Sequence, residues 1–369
     1  MKFNSFICMC VLLFVSCNSS VEQKNVTWDS EQQVPLESVE DYLQIDNLAR
    51  ISMKDAFIAK FDKMIPSDSI IYVMDGMQGV VFKIDVKTKS TSKFVDKVGS
   101  AKNEYMSITD IVLDQHGNLL VYDSESEKIN VYDSSARYVR TIKVNCGTSL
   151  AVSSQGKIGV NTGQLEESQI YVYSPNGVEE CQIKQVATYP NFSFDNVRGI
   201  APWKSGFVFT VPFDYHIYMI DGSAIIPVVD IDCGKKKCDV EHLKQLDIVA
   251  CRNAIFKQEG KILFFDNLSV YNNYIFFSTD MNDQLLYDYD KNSLITLSNL
   301  ESPYNVLFSN PLFVNDNGQF CNAITDSNIK NAYVPSIEVK GVKSSTLNVQ
   351  HDGASDDAEY FWVLTGKVK

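Results

Sequence analysis

Cys17 is the residue whose position most directly implies chemistry. It follows Phe14-Val15-Ser16, at the end of a short apolar stretch, Phe6–Val15, behind the basic residue Lys2. That order reads as a bacterial export signal cleaved before a cysteine that then carries lipid. The polar tail Asn18-Ser19-Ser20 follows at once. A plain signal peptide with an incidental cysteine is the competing reading. The apolar stretch falls short of the ~18 residues that span a bilayer, and no later segment reaches that length. Lipid chains on Cys17 would anchor the chain without a transmembrane helix.

Two aromatic-rich stretches are the candidate ligand surface. Thr188–Asn196 reads TYPNFSFDN and Pro212–Tyr215 reads PFDY. Tyr189, Phe192, Phe194, Phe213 and Tyr215 offer ring faces, and Asn191, Asp195 and Asp214 offer polar groups. Rings with a few polar groups suit carbohydrate or peptide ligands. Packing of the same rings between neighbouring sheets is the alternative.

No catalytic residue is assigned. There is no Gly-x-Ser-x-Gly phrase and no Asp-x-Asp-x-Asp-Gly calcium loop. Of the four histidines, His116 falls in a turn, His242 in a helical segment and His351 in a polar loop. His216 flanks a strand beside Tyr215 and is a candidate for facing a channel. Asp75, Asp123, Asp133, Asp221 and Asp290 end strands as turn formers. Six cysteines follow Cys17. Only Cys233 and Cys238 lie close enough to close a small loop, or to form half of a zinc site. No second pair completes such a site, so no metal or other cofactor is expected. Cys146 and Cys181 sit beside strand-like runs and read as buried thiols.

The elements that must position any site are strands. GNLLVYDSESEKINVYD (Gly117–Asp133), GVVFKID (Gly79–Asp85), SQIYVYSPNG (Ser168–Gly177) and DQLLYDYDKN (Asp283–Asn292) share one phrase. Each is a short aromatic and β-branched strand followed by a polar turn. A unit of this kind cannot bury its own faces alone, so copies must stack. Asp75, Asp123, Thr162 and Thr210 end successive second strands at steps of 48, 39 and 48 residues. That spacing fits four-stranded propeller blades. The next step, from Thr210 to Thr279, is 69. An insertion explains it: within residues 234–259, Val240, Leu243, Leu246 and Val249 recur at helical spacing. The spacing predicts a small helical insertion there.

The expected architecture is all-β, a six-bladed β-propeller. Residues 1–16 form the signal peptide, 17–50 a tether and N-terminal strand, and 51–369 the propeller. The first blade is expected to open with a strand at Ala56–Met64. The sixth begins at Val306–Val314, adds Phe320–Ile324 and Tyr360–Leu364, and lacks one strand. A strand within Val26–Leu36 is the expected donor, because an open ring leaves an unpaired edge.

The lipobox-like Phe14–Cys17, the blade phrase from Ile108 to Val144, the Asn103-Glu104-Tyr105 before it and the terminal FWVLTGKVK resemble the six-bladed β-propeller lipoproteins of the Bacteroidetes, relatives of NHL-repeat propellers. The family usually carries Gly-Pro-Gly-Glu-Tyr where this chain has Ser100-Ala101-Lys102-Asn103-Glu104-Tyr105, so only Glu104 and Tyr105 carry the match. The resemblance implies the fold and a cell-envelope location, and no established reaction.

Function is therefore expected to be non-catalytic binding or scaffolding, for a glycan, a peptide or an envelope protein partner. A metal-dependent propeller hydrolase or lyase, lactonase-like, is the alternative. The 369 residues carry a net charge of −13, and the densest basic run is Lys235–Lys237. No stripe of cations is available for phosphates, so nucleic acid is not an expected partner. The expected state is a monomer, lipid-anchored in the outer membrane on its periplasmic side.

Overall fold

A computed structural model describes residues 21–163, 168–184, 190, 192–194, 197–257, 259–301, 304–325, 328 and 360–369. Their strands form six antiparallel blades of four. The innermost strands are Lys63–Ser67, Asp110–Leu113, Ser149–Val152, Ile200–Trp203, Phe265–Tyr271 and Phe313–Val314. Each of these touches the next and the last touches the first, so the ring closes around a channel. The first strand begins at Lys63, later than the sequence predicts. Residues 304–308 are a 3-10 turn, Tyr304–Phe308, rather than the start of a strand.

Every innermost hairpin turns through one residue with positive φ: Asp68, Gly117, Gly156, Lys204, Asn272 and Gly318. Tight two-stranded turns require that left-handed backbone. These six turns form one mouth of the channel. At the opposite mouth the second-strand aspartates do more than shape a turn. Asp75 accepts hydrogen bonds from Gln78 N in its own turn and from Ala59 N and Lys60 N in the incoming loop. Asp123 accepts from Ser126 N and Met106 N in the same way. Both carboxylates are fully buried. They clamp each entering loop to its blade, which explains their recurrence. Tyr105 belongs to the same scaffolding. Its buried hydroxyl donates to Gly79 O and accepts from Lys97 N, tying blade one to blade two.

The core is six apolar wedges, one per blade interface, with no single centre. A sheet with two buried faces reads as a continuous apolar run, and Leu119–Asp123 and Gln284–Asp288 are buried throughout.

The ring is closed by chain ends. The sixth blade holds Phe313–Val314, Gln319–Thr325, Tyr360–Val368 and, outermost, Leu43–Ser52. The donor strand is therefore Leu43–Ser52, and not Val26–Leu36. Residues Lys24–Thr27 instead add a parallel fifth strand to blade four, beside Ala224–Asp232. Val34 makes one bridge with Leu300. The physical reason is burial. Leu43, Ile45, Leu48, Ala49 and Ile51 supply inward faces on both sides of the closing strand, whereas Lys24–Thr27 alternates between exposed and half-buried. Gly366 in the partner strand is required by close approach, since a Cβ there would overlap the Gln44 carbonyl and the Phe320 ring.

The helical insertion is present as a 3-10 turn at Gly234–Lys236 and helices at Val240–Lys244 and Ile248–Phe256. Asp239 and Asp247 cap the two helices, accepting from His242 N (3.1 Å) and Ala250 N (2.8 Å). No helix among the described residues is long and apolar enough to cross a membrane.

Candidate functional site

The innermost strands enclose a cavity of about 590 Å³ that runs from their first residues to the mouth formed by their turns. This volume lies within the range of small-ligand sites. The middle of the wall is aliphatic, with Ile65, Leu113, Val152, Ala201 and Val270. Amides, hydroxyls and two carboxylates ring the mouth: Gln115, Ser153, Ser154, Asn315 and Asn317, with Asp114 and Asp316.

A charged cluster lies at the inner end. Lys63 Nζ donates to Asp110 Oδ1 at 2.8 Å. Asp110 is fully buried and also accepts from Ile111 N and Leu150 N, each at 2.8 Å. Arg198 stands farther off, its Nε 4.0 Å from the same carboxylate, and is nine-tenths buried. Its backbone N donates to Asp266 Oδ1 at 2.5 Å. Asp266 also accepts from Asn267 N and Nδ2. Enclosure within the ring pushes the Asp266 carboxyl up; the Asp110 charge adds to this, while Arg198 opposes it.

Around this cluster several buried polar atoms have no hydrogen-bond partner: Arg198 Nε, Asn267 Oδ1, Ser269 Oγ and Ser149 Oγ. Asn267 sits at φ 53°, where the pairing of Phe265–Tyr271 with its neighbour slips between Asp266 and Ser269. Such a bulge re-aims side chains at the cost of ladder hydrogen bonds.

The aromatic surface read from sequence is not an open one. Phe213 and Tyr215 are buried. Phe213 packs with Cys238, Leu243, Cys251 and Ile255 of the helical insertion, and Phe192 and Phe194 pack against that cluster, half-buried. Tyr215 donates to Ile262 O and accepts from Cys238 N (2.7 Å), pinning the insertion. Phe192, Phe194 and Phe213 meet the apolar helix face, while Tyr215 packs in the wedge between blades four and five. Tyr189, Asn191 and Asp195, like Cys17, lie outside the described residues.

His216 does not face the channel. It opens the third strand of blade four, with Nδ1 2.6 Å from Asp214 Oδ1 and Nε2 3.8 Å from Asp230 Oδ1. The hydrogen bond to Asp214 raises its pKa despite partial burial. Burial would raise Asp214, yet hydrogen bonds from His216 and Tyr218 bring it below the usual carboxylate value. The described cysteines are free thiols. Cys233, Cys238, Cys251 and Cys321 are buried, while Cys146 and Cys181, read as buried, are half-buried. Among the described residues no group of three His, Cys, Asp or Glu is placed to hold a metal ion.

The channel cluster was hidden in the sequence, although one signal pointed to it. Lys63, Asp110, Ser149, Arg198 and Asp266 each stand 12 or 13 positions before the marker that ends the second strand of their blade. Blade alignment at that offset collects the polar residues of the inner end.

Eight exposed large apolar side chains share the face opposite the cavity mouth. They are Phe57, Met77, Val98, Met106 and Met281 in loops, with Ile248, Val249 and Phe256 on the insertion.

Comparison with known proteins agrees with this geometry. The model of a family described as 6-bladed beta-propeller matches residues 26–309. No curated protein matches the chain significantly. Among solved structures, a protein of Bacteroides fragilis named as exported is similar at a TM-score of 0.68 and 12% identity. The match covers 94% of this chain and 100% of that one. A member of the DUF4221 family from Bacteroides vulgatus has a TM-score of 0.51 at 10% identity, over 89% and 98% of the two chains. A protein named as a candidate gluconolactonase has a TM-score of 0.51 at 10% identity, over 92% and 98%. At these identities the likeness is one of fold.

Proposed function

The chain belongs to this family of six-bladed β-propellers, and from that premise we propose that it is a non-catalytic binding protein of the cell envelope that holds a small ligand in its central channel. The observation that carries the reading is the channel itself. It is a cavity of about 590 Å³ with rigid strand walls, a polar mouth and unpartnered buried polar atoms at its inner end. Rigid walls spare the ligand the cost of ordering its site. The envelope location draws on the signal-like Lys2–Cys17, with lipid on Cys17, and on the likeness to a protein named as exported. The outer membrane, periplasmic side, is the location that follows. The apolar loops on the opposite face favour a second role, scaffolding for an envelope protein partner, since solvated faces seldom gather so many large apolar groups.

The hydrolase alternative would need converging metal ligands; among the described residues no group of three His, Cys, Asp or Glu converges. A thermal-shift and calorimetric screen of glycans and short peptides tests the reading. A binder should lose its affinity in Ser154→Trp, which narrows the mouth at an exposed position while leaving the melting temperature unchanged. Binders unaffected by Ser154→Trp, or divalent-dependent turnover of lactones, esters or glycosides, would overturn it.

A further inference from the structure

Among the described residues, the inner end of the channel holds two cations, Lys63 and Arg198, and one carboxylate in ionic contact with them, Asp110. Asp110 is already engaged: two backbone N–H groups and Lys63 Nζ all lie at 2.8 Å. Arg198 stands at 4.0 Å from it and makes no side-chain hydrogen bond among the described residues. Asp266 is hydrogen-bonded to backbone N–H groups and to Asn267, and not to the guanidinium. A nine-tenths buried guanidinium with unused donors is costly, and its fork matches a carboxylate in bidentate geometry.

The acceptors nearby are equally unused. Leu268 N donates to Arg198 O at 3.0 Å, so the strand carrying Asn267 and Ser269 runs directly beside Arg198. Asn267 and Ser269 line the same cavity, and Asn267 Oδ1 and Ser269 Oγ are buried beside it without partners. Asn267 is held there by a left-handed backbone. The inner end thus presents free donors on one strand and free acceptors on the next.

We propose that the channel binds the carboxylate of a small polar molecule on Arg198, while Asn267 Oδ1 and Ser269 Oγ accept from N–H or O–H groups adjacent to that carboxylate. The inference rests on the channel-binding reading and names its ligand class: an acid bearing a neighbouring amide or hydroxyl donor. A short peptide with a free C-terminus and an acidic sugar share that chemistry. The aliphatic belt above the cluster offers no competing hydrogen-bond partner to the bound acid.

The test is isothermal titration of the full mature protein with matched pairs: di- and tripeptides with free or amidated C-termini, and galacturonate against galactose. One acid is expected to bind at least about 10-fold more tightly than its neutral partner, as loss of a charged hydrogen bond predicts. Which pair discriminates separates the peptide from the sugar source. Arg198→Gln should remove the discrimination, and Ser269→Ala should weaken the same acid with Arg198 intact. If Arg198→Gln does not fold, the acid–neutral ratio on the unaltered protein decides. Equal affinity for acid and neutral partners overturns the inference and leaves the binding reading standing. So does a neutral small molecule found in the channel by native mass spectrometry of protein purified from its own envelope. Binding by no member of the panel, with no co-purified molecule, overturns both.

Discussion

Closure of the ring rests on one strand, and two neighbouring side chains in it guard different interfaces. Tyr360–Val368 pairs with Leu43–Ser52 on one side and with Gln319–Thr325 on the other. Successive strand residues point to opposite faces. Trp362, Leu364 and Val368 enter the wedge between blades five and six, while Phe361 and Val363 enter the wedge between blades six and one. Phe361 and Trp362 are 2% and 4% exposed. Truncation of either buried ring to alanine is expected to cost about 3–5 kcal/mol. Against a total stability of about 5–15 kcal/mol, each single variant should still fold. For a chain of this length that loss lowers the melting temperature by roughly 4–7 °C. The two rings serve separate wedges, so Phe361→Ala and Trp362→Ala should add to within about 0.5 kcal/mol. The double variant then loses about 6–10 kcal/mol and should be largely unfolded or aggregated. Deletion of residues 360–369 should do the same, since it leaves two exposed strand edges. Urea unfolding monitored by tryptophan fluorescence and by far-UV circular dichroism reads these values. Near-wild-type midpoints for both single variants would show that the ring does not depend on this strand.

Three further outcomes follow from the geometry. His216→Ala should lower stability more at pH 5.5 than at pH 8.5. The Asp214 partner raises the folded pKa of His216 above its ordinary 6.5, so its contribution is complete below 6.5 and is lost as pH rises through the folded value; Asp230 and Tyr218 share the site and Lys237 opposes. A pH-independent loss would refute that assignment. Asp110→Asn removes the charge facing Lys63 and Arg198 and should destabilise by about 3–5 kcal/mol, read by chemical denaturation, with an unchanged midpoint as the contrary result. Cys17→Ala should abolish fatty-acid labelling and release the protein from the membrane fraction; unchanged labelling and fractionation would remove the lipid anchor from the proposal.

What the sequence reveals and what it hides follow from the range of the interactions. Blade strands were legible because alternation and turn chemistry are local. Gly117 needs a left-handed turn whatever surrounds it, and the Ile108–Val144 phrase carries its whole blade within 37 residues. The helical insertion was legible for the same reason. Closure was only half legible. The final strand was visible, but its partner Leu43–Ser52 lies more than 300 residues away, and no local feature favours it over Val26–Leu36. Choice between those segments is made by burial on two faces at once, a property of the assembled ring.

The burial of two of the aromatic candidates was hidden for a related reason. Ring-rich loops look alike in sequence whether they face water or a helix. Phe213 and Tyr215 are buried because the insertion 20 to 40 residues later folds back onto them, and Cys238 N reaches the Tyr215 hydroxyl. The charged channel was hidden most deeply. Lys63, Asp110, Arg198 and Asp266 come from four blades spread over about 200 residues, and each alone is an ordinary strand-edge charge. Only the closed ring brings them together at the inner end of the channel. A propeller displays its fold in each repeat and assembles its chemistry between repeats, so the channel, rather than any single motif, is where function in this chain must be sought.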